Sequence, residues 1–283
     1  MDEQQYSRQI AFFGVEGQKV LDETRVAVVG CGGLGSHVVQ QLAYLGVKNF
    51  LLIDKDPLEK SNLNRFIGAR SVDLGRLKVE ILKNLILSLH PDANVDILAA
   101  SVVTKEGFQK LKFVEAVFGC VDKDAVRLVL THYASLAAVP YFDLASEILD
   151  KEEQYGGRVM VAFQGHSCLV CHLELDLKEV HKQLASVADR AIEDKVYGVE
   201  KNLLAETGPS VVSMNGVVAS LGVMEFVLWK TGIRFPKAVL RYNGHKGVVV
   251  KEDMPAHDDC YYCKEIFGSR NYTELEQYLV LSI

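Results

Sequence analysis

Two cysteine pairs, Cys168-Leu-Val-Cys171 and Cys260-Tyr-Tyr-Cys263, hold four of the six cysteines in this chain. A C-x-x-C spacing puts two thiolates within reach of one metal ion, and two such pairs complete a tetrahedral sulfur site. The tetrad is expected to bind one Zn²⁺ in a closed, structural site, because four thiolates leave no position for water. Upstream, Gly30-Cys31-Gly32-Gly33-Leu34-Gly35 carries the G-x-G-x-x-G spacing. Glycines there let backbone N–H groups approach phosphates, and the N-terminus of a following helix adds partial positive charge. Asp54 ends the next apolar run, where an acidic side chain can hold ribose hydroxyls. Together the two motifs are narrower than either alone. They point to an enzyme that handles ATP and carries a structural zinc.

The same glycine fingerprint serves NAD and FAD, so an oxidoreductase is the competing class. An NAD site neutralises only a diphosphate. A site that cleaves ATP must also stabilise a triphosphate and a departing pyrophosphate, which takes several cations. Arg65, in Glu59-Lys60-Ser61-Asn62-Leu63-Asn64-Arg65, and Lys78 follow Asp54 and Asp56 closely enough to supply them. Either one alone would read as a solvated surface charge. Other candidates read as bystanders. His166 and His172 flank the first cysteine pair and His257 precedes the second, but four cysteines already fill a tetrahedron. Tyr261 and Tyr262 are expected to pack over the metal knuckle. Cys31, at a helix N-terminus, could have a lowered pKa, yet a spacer or core role fits both it and Cys120 better.

These residues need a scaffold, and the hydrophobic pattern provides one. Apolar runs at 25–30, 49–54, 95–99, 114–118 and 140–144 read as buried parallel strands. Helical spacing at 34–45, 74–89 and 125–138, with a short helix around Phe108 and Leu111, separates them. This βαβ alternation predicts a doubly wound, Rossmann-like α/β sheet, mostly parallel. Beyond Asp150 the pattern changes. Residues 157–163 alternate like an antiparallel strand, and 174–207 read as a charged, mobile crossing segment. Residues 238–242 and 247–250 read as a hairpin turning at Asn243-Gly244. The division expected is a nucleotide-binding half at 1–150, a zinc-bearing, partner-binding half at 151–270 within one continuous domain, and a tail at 271–283 with a short amphipathic helix.

The composition excludes several classes. With 283 residues and 49% hydrophobic content the chain can build a large core. A net charge of −6 without a basic block argues against nucleic-acid binding. The polar start, Met1-Asp2-Glu3-Gln4-Gln5, is not a secretory signal, so a cytoplasmic location is expected, where paired cysteines favour metal over disulfides. Residues 211–229 have the length of a membrane span. Asn215 and Glu225 would be expensive in lipid, and the stretch reads instead as a buried helix packed through small residues.

The whole pattern resembles the ThiF/MoeB/HesA family, the adenylating core shared with ubiquitin-activating enzymes. The matching elements are Tyr6-Ser7-Arg8-Gln9-Ile10, the glycine loop, Asp54-x-Asp56, Ser61-Asn62-Leu63-Asn64-Arg65, Lys78, Asp122 with Arg127, and both cysteine pairs. The resemblance implies roles by position. Arg8 would reach across a homodimer to the other subunit's ATP phosphates. Asp54 would hold the ribose, with Asn62, Arg65 and Lys78 on the phosphates and Asp122 on Mg²⁺. The implied activity is adenylation of the C-terminal carboxylate of a small ubiquitin-like or sulfur-carrier protein. Pyrophosphate would be released and the acyl group passed to an external acceptor. Tailoring of a ribosomally made peptide and a non-catalytic scaffold subunit are the alternatives. Two departures stand out. Asp122 is followed by Lys123 where the family often has Asn, and no cysteine lies between Cys171 and Cys260, so the thioester cysteine of the crossing segment is missing.

Overall fold

The computed structural model describes residues 3–149, 154–164, 167–184, 210–253 and 255–279. Eight strands form one sheet in the order β3-β2-β1-β4-β5-β6-β7-β8. β1 (Arg25–Val29), β2 (Asn49–Ile53), β3 (Asn94–Leu98), β4 (Ala116–Gly119) and β5 (Tyr141–Leu149) run parallel. β6 (Gln154–Ala162), β7 (Val239–Asn243) and β8 (Val248–Glu252) extend the sheet in antiparallel fashion. One sheet therefore runs through both halves of the chain, as the βαβ pattern and its later change predict.

Successive residues of a strand face opposite sides, and here both sides are covered. Val26, Val28, Phe118 and Phe142 join one core under α2 (Gly33–Tyr44), α3 (Lys78–Leu89) and α7 (Val212–Lys230). Ala27, Val29, Val117 and Tyr141 join a second core under α4 (Lys105–Leu111), α5 (Asp124–Ala137) and α6 (Leu177–Leu184). Two buried faces explain why the strands read as continuous apolar runs rather than alternating ones.

The long apolar helix is a core helix. α7 has 19 residues and a mean hydropathy of 1.5, enough to cross a membrane by length and composition. It packs instead on α2, β5 and β6, with Phe226 against Phe118 and Phe142. Its two buried polar residues, Asn215 and Glu225, are paired inside the protein. Asn215 accepts from Ser146 at 2.8 Å, and the Glu225 carboxylate accepts from both guanidinium arms of Arg234, at 2.7 and 2.5 Å.

Several boundaries differ from the sequence reading. A helix, α1 (Ser7–Glu23), precedes β1 and bends at Gly14, where φ is +78°. The helix expected from residue 74 starts at Lys78. Gly75 has φ +82°, and a bridge between Pro57 and Leu77 holds the preceding residues extended. β4 begins two residues later than read, because Val114 and Glu115 complete the turn from α4. The hairpin turns over Gly244–Gly247 rather than at Asn243-Gly244. Asn243 stays paired with Val248, and its side chain accepts the Lys246 N–H. The crossing segment begins with α6, and its stretch 185–209 lies outside the described residues. The tail forms a 3-10 helix over Tyr272–Tyr278.

Candidate active site and metal centre

Sheet order reverses between β1 and β4, and ligands of such sheets bind outside the strand ends at that point. A cleft of about 940 Å³ opens there. It collects Gly30, Gly32, Gly33, Asp54, Asp56, Asn62, Arg65, Lys78 and Asp122, so most of the residues singled out in the sequence meet in one place. Gly30 has φ +87°, and a side chain there would lie 2.6 Å from the Cys120 carbonyl. Gly35 does not line the cleft. A Cβ on it would fall 2.0 Å from the Gly30 carbonyl, so it lets α2 sit directly on the end of β1. Among the described residues no side chain caps α2, which leaves its first-turn N–H groups available to an anion.

The charged groups are pre-arranged. Asp54 accepts the Cys31 N–H at 2.7 Å and the Asp56 N–H at 2.8 Å. Burial pushes its carboxyl above the ordinary value, against the pull of those N–H groups and of Lys78. Lys78, buried at the start of α3, pairs with Asp56 at 3.2 Å. Arg65 donates to the Ser61 carbonyl at 2.6 Å, and Asn62 accepts the Glu59 N–H at 3.1 Å. Asp122 is exposed in the turn between β4 and α5. Its carboxylate makes no hydrogen bond or ion pair to a described residue. A carboxylate without a described partner at the edge of this cleft has the chemistry of a Mg²⁺ ligand, since that ion favours one or two carboxylates plus substrate phosphates. Arg8 lies exposed on α1, outside the cleft of its own chain.

Behind the cleft runs a chain of alternating charges that the sequence reading missed. Arg127 donates to the Val121 carbonyl at 2.6 Å, which braces the Asp122 turn, and pairs with Asp143 at 3.1 Å. Asp143, fully buried, also takes Arg158 at 2.5 Å and the Tyr141 hydroxyl at 2.8 Å. Burial alone would raise the Asp143 carboxyl. The two arginines outweigh it, and the group lies below its ordinary value. Arg158 then pairs with Glu174 at 2.8 Å, Glu174 with Arg241, and Arg241 with Glu252 at 2.8 Å. Arg158 and Arg241 face each other across β6 and β7, where like charges repel. Glu174 between them resolves the conflict. The available signal was Asp143 inside the apolar run 140–144 and Arg158 inside the run 157–163.

The cysteine tetrad assembles as expected. All four Sγ atoms lie within 4.8 Å of one another. Cys168 stands 3.8 Å from Cys260 and 4.0 Å from Cys171, and Cys171 stands 3.8 Å from Cys263. Tetrahedral zinc with bonds of about 2.3 Å separates its sulfurs by about 3.8 Å, so the donor set fits that ion. Hydrogen bonding from Cys263 first, against burial, holds the Cys168 thiol down to about 6, while burial lifts Cys260 to about 11. Four thiolates this close need a shared cation. His172 turns to Ser167 at 2.5 Å, and the His257 N–H donates to Cys171 Sγ at 3.4 Å. Neither ring joins the tetrad, and His166 lies outside the described residues. The two remaining cysteines are poor nucleophiles. Burial raises the thiols of Cys31 and Cys120 well above their ordinary values, so the helix N-terminus does not lower Cys31.

This fold defines a doubly wound α/β protein with an open cleft at the sheet's switch point and a cysteine tetrad that could hold a metal ion. The ThiF family matches residues 6–262, and the chain belongs to that family. The chain is 31% identical over 169 residues to the adenylyltransferase and sulfurtransferase UBA4 of Yarrowia lipolytica, covering 59% of this chain and 41% of the relative. It is 33% identical over 137 residues to the SAMP-activating enzyme E1 of Haloferax volcanii, covering 48% and 51%. The chain thus spans about half the length, or less, of these curated relatives. Among solved structures, E. coli MccB with ATP superposes with a TM-score of 0.70 at 19% identity, covering 92% of this chain and 74% of that one. That likeness concerns the fold.

The metal centre gives a direct test. Freshly purified protein is expected to contain one zinc per chain by elemental analysis, and Cys171→Ala or Cys263→Ala is expected to lose it together with thermal stability. Protein without zinc, or with disulfides at these positions, would contradict the assignment.

Proposed function

We propose that this chain is an ATP-dependent adenylyltransferase. It would activate the C-terminal carboxylate of a small ubiquitin-like or sulfur-carrier protein and hand the acyl group to an outside acceptor. The observation that carries this reading is the convergence of the glycine loop, Asp54, Arg65, Lys78 and Asp122 on one cleft. Family membership supports it, as do relatives named for adenylyl transfer and for activation of SAMP. The oxidoreductase alternative leaves Arg65, Lys78 and Asp122 without a task.

The chemistry asks little of the protein beyond placement. A C-terminal carboxylate, with pKa near ~3.5, is ionised at pH 7 and needs no general base. One of its oxygens bonds to the α-phosphorus. The bond from that phosphorus to the bridging oxygen breaks, and pyrophosphate departs with the electron pair. Asp54 holds the ribose. The α2 N-terminus, Arg65 and Lys78 carry the negative charge of the phosphates, which is where such a site gains most. Lys78 arrives already paired with Asp56, so it is pre-positioned rather than recruited. Asp122 would hold Mg²⁺, which when bound neutralises phosphate charge.

In the same reading the enzyme works as a homodimer in the reducing cytoplasm, with Arg8 serving the other subunit. Its exposed place on α1, away from its own cleft, supports that role. No thioester forms on the enzyme, since Cys31 is buried, the thiol of the half-buried Cys120 is raised well above its ordinary value, and the tetrad is committed to zinc.

Three experiments decide these points. Asp122→Ala is expected to abolish ATP–pyrophosphate exchange with the fold intact by circular dichroism. Arg65→Ala and Lys78→Ala should each cost roughly 10²-fold, the scale of losing one electrostatic stabiliser. Wild-type rates in all three variants would sink the assignment. Mixing Arg8→Ala with Asp122→Ala subunits should restore exchange, because one interface then pairs an intact Arg8 with an intact Asp122. No recovery despite confirmed subunit exchange would remove Arg8 from the site. Finally, enzyme, Mg-ATP and the true protein substrate should give an adenylate by mass spectrometry and no thiol-sensitive band at the combined mass on a non-reducing gel. Such a band would show that a cysteine of this chain acts as nucleophile.

A further inference from the structure

The turn after β4 reads Asp122-Lys123-Asp124, and the turn after β2 reads Asp54-Lys55-Asp56. The sheet runs β2-β1-β4, so the two triplets flank the glycine loop at the end of β1. Three cations of the cleft are tied to the protein: Arg65 to the Ser61 carbonyl, Lys78 to Asp56 and Arg127 to Asp143. Lys55 and Lys123 line the cleft, and neither ammonium makes a hydrogen bond or ion pair to a described residue. Lys55 follows the aspartate assigned to the ribose and belongs to the nucleoside end. Lys123 follows Asp122 and belongs to the phosphate end.

Lys123 also stands where helix energetics disfavour a lysine. It is the N-cap of α5, with φ −92° and ψ 122°, and its side chain makes no capping bond. Ser, Thr, Asn and Asp are preferred at that position, and the helix dipole repels a cation there. Capping is left to Gln183 of α6, whose Oε1 accepts the Ala125 N–H at 2.9 Å. Nor does the adjacent acid hold the lysine, because Asp124 accepts the Asp176 N–H at 2.9 Å and pairs with Arg127 at 3.6 Å. An ammonium set against a helix dipole, without a partner among the described residues, in a cleft with Arg65 and Lys78, is placed for an anion.

We propose that Lys123 is a further phosphate-binding residue of this site, contacting the β- and γ-phosphates of ATP that leave as pyrophosphate. The inference rests on the nucleotide reading above. It gives the departure from the family's Asp-Asn pattern a chemical purpose, since an amide is replaced by a positive charge beside Asp122.

The test titrates wild-type protein, Lys123→Gln and Lys123→Arg with Mg-ATP and with AMP, which lacks the leaving phosphates, and melts each protein. Lys123→Gln should weaken Mg-ATP binding about tenfold, the scale of one charge-assisted hydrogen bond. It should leave AMP affinity unchanged and the melting temperature equal or higher, because a cation is removed from the helix N-terminus. Lys123→Arg should keep most of the ATP affinity. An equal loss for ATP and AMP, or unchanged ATP affinity in Lys123→Gln, overturns the role of Lys123 and leaves the nucleotide reading standing. Wild-type protein that binds neither ligand overturns both.

Discussion

One buried carboxylate holds the two halves of this protein in register. Asp143 has no solvent exposure and faces two guanidinium groups that belong to different parts of the chain. Arg127 leads to the turn that presents Asp122, and Arg158 leads through Glu174 to the strand pair β7–β8. A charge taken out of water in this way is tolerated only when its partners are in place, and removing one partner of such a pair typically costs about 3–5 kcal/mol. The arrangement is therefore intolerant of small displacements. It fixes where the antiparallel extension sits relative to the nucleotide-binding strands, and hence where the Asp122 turn can lie.

The cleft follows from that constraint together with sheet order. β1 and β4 stay paired to their last residues, but the connections that follow them leave to opposite faces of the sheet, and the glycine loop lies in the gap between. α7 closes the site from one side. Asn215 in its first turn bonds Ser146 of β5 and Ser210, and its amide nitrogen lies 2.4 Å from where a Cβ on Gly33 would be. The glycine loop is thus shaped by the helix that supports it as well as by the ligand it is read to bind. On the opposite face, α5 and α6 carry the Asp122 turn from below. Both helices owe their position to the second core, so packing on one face sets charge on the other.

Much of this was legible in the sequence. Buried parallel strands announce themselves as short apolar runs, and the glycine loop and cysteine pairs are fixed by spacing that few other functions require. What stayed hidden depends on neighbours far apart in the chain. Nothing local links Asp143 to Arg158 and Glu174, because their contact exists only once β5, β6 and the segment after Cys171 are side by side. α1 escaped because Gly14 and Gly17 interrupt it and because only Gly17, Gln18 and Leu21 are buried along it. α3 was read too long because Leu74 and Leu77 continue its apolar spacing, while the positive φ of Gly75 and the Pro57–Leu77 bridge stop the helix short. Periodicity reports which face is apolar and is blind to such backbone exceptions.

The sulfur tetrad changes the molecule's connectivity. Its two cysteine pairs lie 92 residues apart along the chain and meet in one cluster. With a metal in place, everything between them becomes a closed ring rather than a stretch of line. A line falls into two pieces when cut once, and a ring does not. A single broken peptide bond between Cys171 and β7 would leave both fragments clasped at the sulfurs and zipped along β6 and β7. The segment that crosses from one half of the protein to the other is thus the one the architecture can best afford to have cut.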